Sequence, residues 1–343
     1  MIFGRDIGID LGTATVIICL KSKGIATREP SVVAMDKGTG HLLKVGAAAQ
    51  RMLGRTPGNI AAIHPIRDGV ISDYDMTQRM LKELIRKVSS FSLLKPRIII
   101  SVPSGITEVE ERAVIEAGLQ AGARKVYLVE EPVVAAIGAG LDIAKPEGHL
   151  VVNIGAGTTD IAVISLSGVV QTESIKVAGD AFNRDIIKYI RRHHNVLIGD
   201  TTAEEIKRTI GCVYPRAENT FLEVKGRCLI TGLPKMVTVS AVDTIEAFSE
   251  SSRRILDAIH SVLEETPPEL IGDISENGIV LTGGGCLLYG FDKLVENSTG
   301  IHTRVADDAE LCAAYGITKS LSWISDMQDG TLNLYRRKQL MQQ

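Results

Sequence analysis

Apolar and polar positions along the chain switch between a period of two residues and one of about 3.6, and the switches mark out its elements. Residues 6–20, DIGIDLGTATVIICL, read as a strand, a tight Gly-Thr turn and a second strand, and residues 151–165, VVNIGAGTTDIAVIS, repeat the arrangement. MTQRMLKELIRKV (76–88) has helical periodicity, PRIIISVP (96–103) is a buried-strand run, and TEVEERAVIEAGLQAGA (107–123) opens like a capped helix. VYLVEEP reads as a strand passing into a helix of small residues, VVAAIGAGL. In the second half DAFNRDIIKYIRRHH and TAEEIKRTIG are helical, GRCLITGLPKMVTVS predicts two strands, and VDTIEAFSESSRRILDAIHSVLEET is one long amphipathic helix. GIVLTGGGCLL (278–288) is again a strand running into glycines.

Aligning Asp10-Leu11-Gly12-Thr13-Ala14-Thr15 with Asn153-Ile154-Gly155-Ala156-Gly157-Thr158 matches Gly12 to Gly155 and Thr15 to Thr158. That separation is far beyond a solenoid period, so it predicts two halves of similar construction. Alternating strands and helices predict an α/β fold of two lobes, 1–145 and 146–325, with smaller subdomains at about 33–75 and 181–245. Residues 326–343 are expected to return to the first lobe or to fray.

Composition agrees with buried strands covered by helices. The chain of 343 residues exceeds the size at which one core suffices; it is 45% hydrophobic but only 4% aromatic, so its apolar mass is Ile, Val, Leu and Ala. A net charge of −3 provides no global field to attract nucleic acid, and none is expected as a partner. Five cysteines without a CxxC pair argue for reduced thiols in a cytoplasmic protein and against a zinc site. No apolar run approaches the ~20 residues that span a bilayer, and MIFGRD moves into a strand without a signal-peptide pattern. If the protein meets a membrane, it lies on it.

A Gly-rich turn lets backbone N–H groups approach an anion because no Cβ intervenes, and neighbouring Thr hydroxyls add hydrogen bonds. One such hairpin is only a tight turn. Two matching hairpins plus a third cluster, Gly283-Gly284-Gly285 after a strand, predict two clamps on a polyphosphate and a bed for a base, with the ligand between lobes. Asp10 ends its strand at the first turn, where a carboxylate either holds magnesium through water or caps the turn. Glu130-Glu131-Pro132 either favours the helix macrodipole or presents a carboxylate that orients a water for in-line attack. Arg191-Arg192-His193-His194 reads as a solvated helix face rather than a site.

DIGIDLGTAT, KGIATREPSVVA, PIRDGVISDYDMT, VEEPVVAAIGAGL, VVNIGAGTTDIAVIS, TPPELIGDI and GIVLTGGGCLL, in this order, resemble the MreB family of bacterial actin-like rod-shape proteins over roughly residues 5–325. Heat-shock chaperone ATPases and sugar kinases share only the hairpins. The resemblance implies the actin fold around ATP and Mg2+. Gly12, Thr13, Ala14 and Thr15 would form one phosphate loop, and Gly155, Ala156, Gly157, Thr158 and Thr159 the other. Asp10, with Asn153 opposite, would organise the metal, and Glu131 with Thr158 would position the attacking water. Glu204 and Lys207 would reach the ribose or base, unless they are an ordinary exposed helix face, and Gly283, Gly284 and Gly285 the adenosine.

Both loops depart from the family pattern. The family pattern GTANT is GTATV here, and the pattern Asp followed by IGGGTTE has Asn153, Ala156 and Asp160 at the changed positions. Nucleotide binding is expected to survive these changes, and the charge balance at the metal to shift, so ATP hydrolysis is expected to be slow. The resemblance also implies filaments of the chain with itself at the inner membrane face, in company with cell-wall elongation proteins. In SSFSLLKP, Phe91, Leu93 and Leu94 lie among Arg86, Lys87, Lys95 and Arg97; spacing alone allows them to fold onto the core, and the resemblance implies membrane insertion. The rival reading is a monomeric sugar or acetate kinase-like phosphotransferase, which needs an acceptor pocket, usually with a catalytic Asp that no stretch supplies. A chaperone is less favoured, since no peptide-binding domain follows.

Overall fold

The computed structural model describes residues 6–88 and 95–325. Two five-stranded sheets with the same topology organise it. In the first, Gly24–Pro30, Thr15–Leu20 and Ile7–Leu11 run antiparallel as a meander, and Arg97–Val102 and Lys125–Glu130 then add in parallel. In the second, Gly168–Ile175, Thr159–Ser165 and His149–Ile154 form the meander, and Ile279–Thr282 and Thr303–Val305 add in parallel. The repeat read from the two hairpins therefore extends to the whole of both sheets.

Each sheet is covered by helices whose apolar stripes face it. Ile7, Ile9, Ile98 and Ile100 pack in one core with Met80, Leu81 and Leu84 of the helix Tyr74–Val88. The helix Glu108–Gln120 begins at Thr107, whose hydroxyl accepts from the Glu110 N–H while Glu110 returns a bond to the Thr107 N–H, the capping box its sequence predicts. In the second lobe Phe182, Phe248 and Phe291 meet edge-on, with ring centroids 4.9 and 6.3 Å apart along the chain of contacts. These three rings, fully buried, anchor the helices Gly179–His194 and Ala241–Glu264 on the sheet. Arg191 to His194 form the exposed or half-buried last turn of the first of these helices, and the His193 ring stacks on Tyr189 at 4.2 Å.

Each lobe carries a smaller sheet. Leu42–Val45, Val33–Asp36 and Ile60–Ile63 form one, followed by the short hairpin Ile66–Arg67/Val70–Ile71; Val196–Leu197, Phe221–Cys228 and Pro234–Ser240 form the other. GRCLITGLPKMVTVS does hold parts of two strands, but the first begins earlier than this stretch, at Phe221, and ends at Cys228, with the turn at Leu229 to Thr231.

Two helices, Glu131–Gly138 and Cys312–Ser320, join the lobes and cross in backbone contact. A Cβ on Gly138 would collide with the Cys312 carbonyl, and one on Gly316 with the Val134 carbonyl. Cys312–Ser320 also lies on the first sheet, where Ile317 packs against Gly8 and the Cys19 thiol donates to the Ala314 carbonyl at 3.4 Å. The chain thus reaches the first lobe within the span assigned from sequence to the second; 326–343, the segment expected to return, lies outside the described residues. So do Phe91, Leu93 and Leu94. Among the described residues no helix is long and apolar enough to cross a membrane, and all five cysteines are free, buried thiols.

Candidate functional site

Both glycine-rich hairpins close in the same way. The Gly12 N–H donates to the Thr15 carbonyl at 3.1 Å and the Gly155 N–H to the Thr158 carbonyl at 2.9 Å, so the loop between each pair is pinned at its ends and its remaining amides are free to face a ligand. The match continues into the sheets. Asp10 and Asn153 are equivalent, and each accepts from a hydroxyl on its parallel neighbour: Ser101 Oγ to Asp10 Oδ1 at 3.0 Å, Thr282 Oγ1 to Asn153 Oδ1 at 3.1 Å. The two loops face each other where the lobes meet, since a Cβ on Gly157 would strike the Thr13 hydroxyl. Thr13 and Thr158 are both buried there, whereas Ala14 is exposed and Ala156 half-buried.

Three carboxylates gather behind the loops. Burial pushes Asp10 up to about 6 against the pull of Ser101 and Arg28, and burial likewise pushes Asp160 up to about 6. Glu131, first residue of the helix joining the lobes, is held well above the usual carboxylate range by burial and then by the charges of Asp160 and Asp10. One group opposes this: the Asn153 side-chain amide donates to Glu131 Oε1 at 2.9 Å. Asn153, read from sequence with Asp10 as part of the metal site, is thus engaged at both ends of its amide, by Glu131 and by Thr282. Glu130 turns away from its neighbour and accepts from Ser104 Oγ at 3.2 Å.

At the other end of the cleft, Glu204 and Lys207 pair at 2.6 Å, and Lys207 also donates to the Gly179 carbonyl at 3.0 Å. Glu204 accepts a further bond from Asn183 Nδ2 at 2.8 Å. The Gly179 N–H bonds the Gly155 carbonyl at 3.1 Å, so this pair is tied to the second loop and is more than an exposed helix face. Gly283, with φ 82°, packs against Ile154 and Asn153, and Gly285 against Ile154 and Gly155, which brings the third glycine cluster to the same loop. Lys207, Gly283 and Gly285 thus pack around the second loop, and Thr13 of the first loop meets Gly157 of the second.

Four groups on this wall went unread. Ser104 donates its N–H across the lobes to Asp160 Oδ1 at 2.9 Å. Arg28 and Glu310, 282 positions apart, form a bidentate ion pair at 3.2 and 2.6 Å between the first sheet and the glycine cluster's neighbour. Asn183 and the turn Asp68-Gly69 complete the set. None carries a local pattern; only PIRDGVIS, with its Asp-Gly dipeptide between apolar runs, signals a hairpin.

A family model described as MreB/Mbl protein matches residues 4–329. The chain belongs to the MreB/Mbl family. Among relatives, the cell shape-determining protein Mbl of Bacillus subtilis (strain 168) is 50% identical over 315 residues, 92% of this chain and 95% of that one. The cell shape-determining protein MreB of Escherichia coli (strain K12) is 48% identical over 336 residues, 96% of each. MreB5 of Spiroplasma citri, solved bound to ADP and to AMPPNP, superposes with a TM-score of 0.90 at 37% identity, covering 94% of this chain and 97% of that one. A MamK double helical filament subunit, at 20% identity and a TM-score of 0.79, shares the fold. The MreB/Mbl chain described here accordingly has the actin-like α/β fold, two lobes each with a large and a small subdomain around the cleft.

Proposed function

We propose that the chain binds ATP between its lobes and uses it to adopt a shape that assembles with copies of itself, forming filaments on the inner face of the cell membrane that organise wall synthesis. The observation that carries this reading is the pair of identically closed loops meeting at Thr13 and Gly157, with a carboxylate cluster behind them. It is supported by the nucleotides in MreB5 of Spiroplasma citri and by the cell-shape names of the family's members.

In this reading the amides of Gly12 to Thr15 and of Gly155 to Thr159 bind the phosphates, Glu204 and Lys207 the ribose or base, and Gly283 to Gly285 flank the adenosine. The acidic wall fits a hydrated magnesium ion: its carboxylate donors are all oxygen, and among the described residues Asp160 Oδ2 is buried with no hydrogen bond of normal geometry. Among the described residues no three acidic, His or Cys side chains converge closely enough to hold an ion directly, so Asp10 and its neighbours would act through waters. When bound, the ion would neutralise charge on the phosphates. Glu131 and Thr158 orient a water in line with the terminal phosphorus; its oxygen forms the new P–O bond as the bond to the β-phosphate oxygen breaks. Asn153 holds Glu131 by its amide and adds no charge.

The kinase reading would require an acceptor alcohol or carboxylate. Sedimentation with ATP and no acceptor separates the two: filaments that pellet with ATP and not without it support the polymer, whereas a soluble protein that releases phosphate only when an acceptor is added supports the kinase.

Phe91, Leu93 and Leu94 are the proposed membrane contact. Burying two leucines contributes roughly 3 to 6 kcal/mol at most, too little for a firm hold by one subunit but additive along a filament. Filaments of Leu93→Ser/Leu94→Ser are expected to lose most co-sedimentation with anionic liposomes; binding equal to wild type refutes this contact.

A further inference from the structure

The chain passes from the second lobe to the first at Glu310. Ala309 is packed in the same core as Ile154 and Phe182, and its carbonyl accepts from the Gly283 N–H at 2.8 Å. Leu311 is packed instead on Ile17, Cys19 and Ile25 of the first sheet. Glu310 lies between them, in the single turn Ala309–Leu311 that leads into Cys312–Ser320. It also borders the third glycine cluster, since a Cβ on Gly284 would lie 3.9 Å from the Glu310 Cβ.

Arg28 reaches Glu310 from Gly24–Pro30, the edge strand of the first sheet. Asp10 stands opposite Ile17 and Ile17 opposite Arg28, so the three form one row across three antiparallel strands and share a face. That face is the one Cys312–Ser320 covers, because Ile17 packs against Ala314. The Arg28 fork meets the carboxylate through two bonds, Nη1 to Oε1 at 3.2 Å and Nη2 to Oε2 at 2.6 Å. Arg28 holds the Glu310 carboxyl below the usual carboxylate range, and Arg208 adds a smaller pull. The two side chains are 44% and 37% exposed, so dissolved salt reaches the pair.

We propose that Arg28 and Glu310 form a latch between the lobes: the pair holds the glycine bed of the second lobe in register with the row of Asp10, Ile17 and Arg28, and so raises the fraction of molecules already in the nucleotide-binding arrangement. Both are positioning residues, and neither needs to touch the nucleotide. The proposal rests on the nucleotide reading above. A bidentate pair tolerates little displacement, so a turn of the lobes about the crossed helices breaks it. Observed affinity falls in proportion to the fraction of molecules that leave the binding arrangement. A partly exposed pair gives a modest bias, and reversing one of its charges turns attraction into repulsion.

Exchanging the charges tests it, by titration of each variant with a fluorescent ATP analogue in low salt. The loss of affinity in Arg28→Glu multiplied by that in Glu310→Arg is expected to exceed the loss in the double variant by at least about tenfold, because only the double restores the pair. Attraction or repulsion of the phosphates by the changed charges cancels in that product. The double variant itself should bind within about threefold of wild type. At about 1 M NaCl, where the screening length is about 3 Å, the tenfold excess should shrink to about twofold or less. The exchange also separates the latch from an action of the Arg28 charge on Asp10, which the double variant does not restore. Single losses that multiply to the loss of the double variant, a double variant as weak as the weaker single one, or an excess unchanged by salt each overturns the latch. If a reversed variant does not fold, Arg28→Gln, Glu310→Gln and their combination take its place: losses that do not multiply are expected, and losses that do overturn it. Failure of the wild type to bind the analogue refutes the nucleotide reading instead.

Discussion

Replacing Asn153 with aspartate is expected to raise phosphate release under polymerising conditions by about ten- to a thousandfold, the ~1.4 to 4 kcal/mol typical of one electrostatic contact in a catalytic site. In the wild type the Asn153 amide satisfies Glu131 directly, at 2.9 Å, and leaves the cleft one negative charge short at the position equivalent to Asp10. Binding is expected to survive this, because the amides of both loops are untouched by it. Catalysis is expected to be weaker, because a carboxylate at 153 would hold and order the waters of a magnesium ion where an amide holds only Glu131. The same change places two carboxylates side by side when no ion is present, so Asn153→Asp should melt at a lower temperature than wild type in EDTA and recover with magnesium and ATP. The competing explanation is that Asp160 restores the missing charge: its Oδ1 is taken by the Ser104 N–H, and among the described residues its buried Oδ2 makes no hydrogen bond of normal geometry. Phosphate release from wild type, Asn153→Asp and Glu131→Ala decides between them. Asn153→Asp no faster than wild type, with Glu131→Ala much slower, means that hydrolysis was never limited at this position.

Gly155→Val is expected to lower affinity for a fluorescent ATP analogue at least a hundredfold, about 2.7 kcal/mol, while the protein remains folded. Among the described residues the one atom within 4 Å of such a Cβ is the Thr158 carbonyl oxygen at 3.2 Å, which must give by a few tenths of an ångström, and Gly155 is not in the left-handed region. The branched side chain would instead fill the space in front of the loop that a phosphate must enter. Gly157 behaves differently. Its Cβ would press on Thr13, Asp68 and Gly69, so a side chain at 157 parts the lobes and loses binding by disrupting the structure. A circular-dichroism melt alongside the titration keeps these causes apart, and unchanged affinity in folded Gly155→Val removes the phosphate-loop assignment.

What could be read from the chain was whatever has a local period or a local repeat. The two hairpins announce themselves because strand alternation breaks at glycine in both halves, and the helix at Glu108 because Thr107 and Glu110 stand at capping distance. The roles of Asp10, Asn153 and Glu131 were legible only as neighbours in a motif; that Asn153 spends its amide on Glu131, 22 positions away, depends on how a helix start packs against a strand end. Contacts such as Arg28 with Glu310 or Gly69 with Thr13 join segments with no shared pattern, so no periodicity points to them. Gly138 reads as one small residue among others in its helix and the helix of Gly316 has no reading from sequence; the crossing of the two helices explains why neither glycine can carry a Cβ. The same crossing puts Cys312–Ser320, which by sequence falls in the second lobe, against both lobes at once.

The central claim is that the nucleotide is held chiefly to select an assembling shape, with hydrolysis trailing behind. Light scattering and phosphate release recorded on the same sample after ATP and magnesium are added to the wild-type protein test it most directly. Scattering is predicted to reach its plateau well before one phosphate per subunit has been released, and to stay at baseline without nucleotide. Assembly that rises in step with phosphate release, or that proceeds equally with no nucleotide present, contradicts the account.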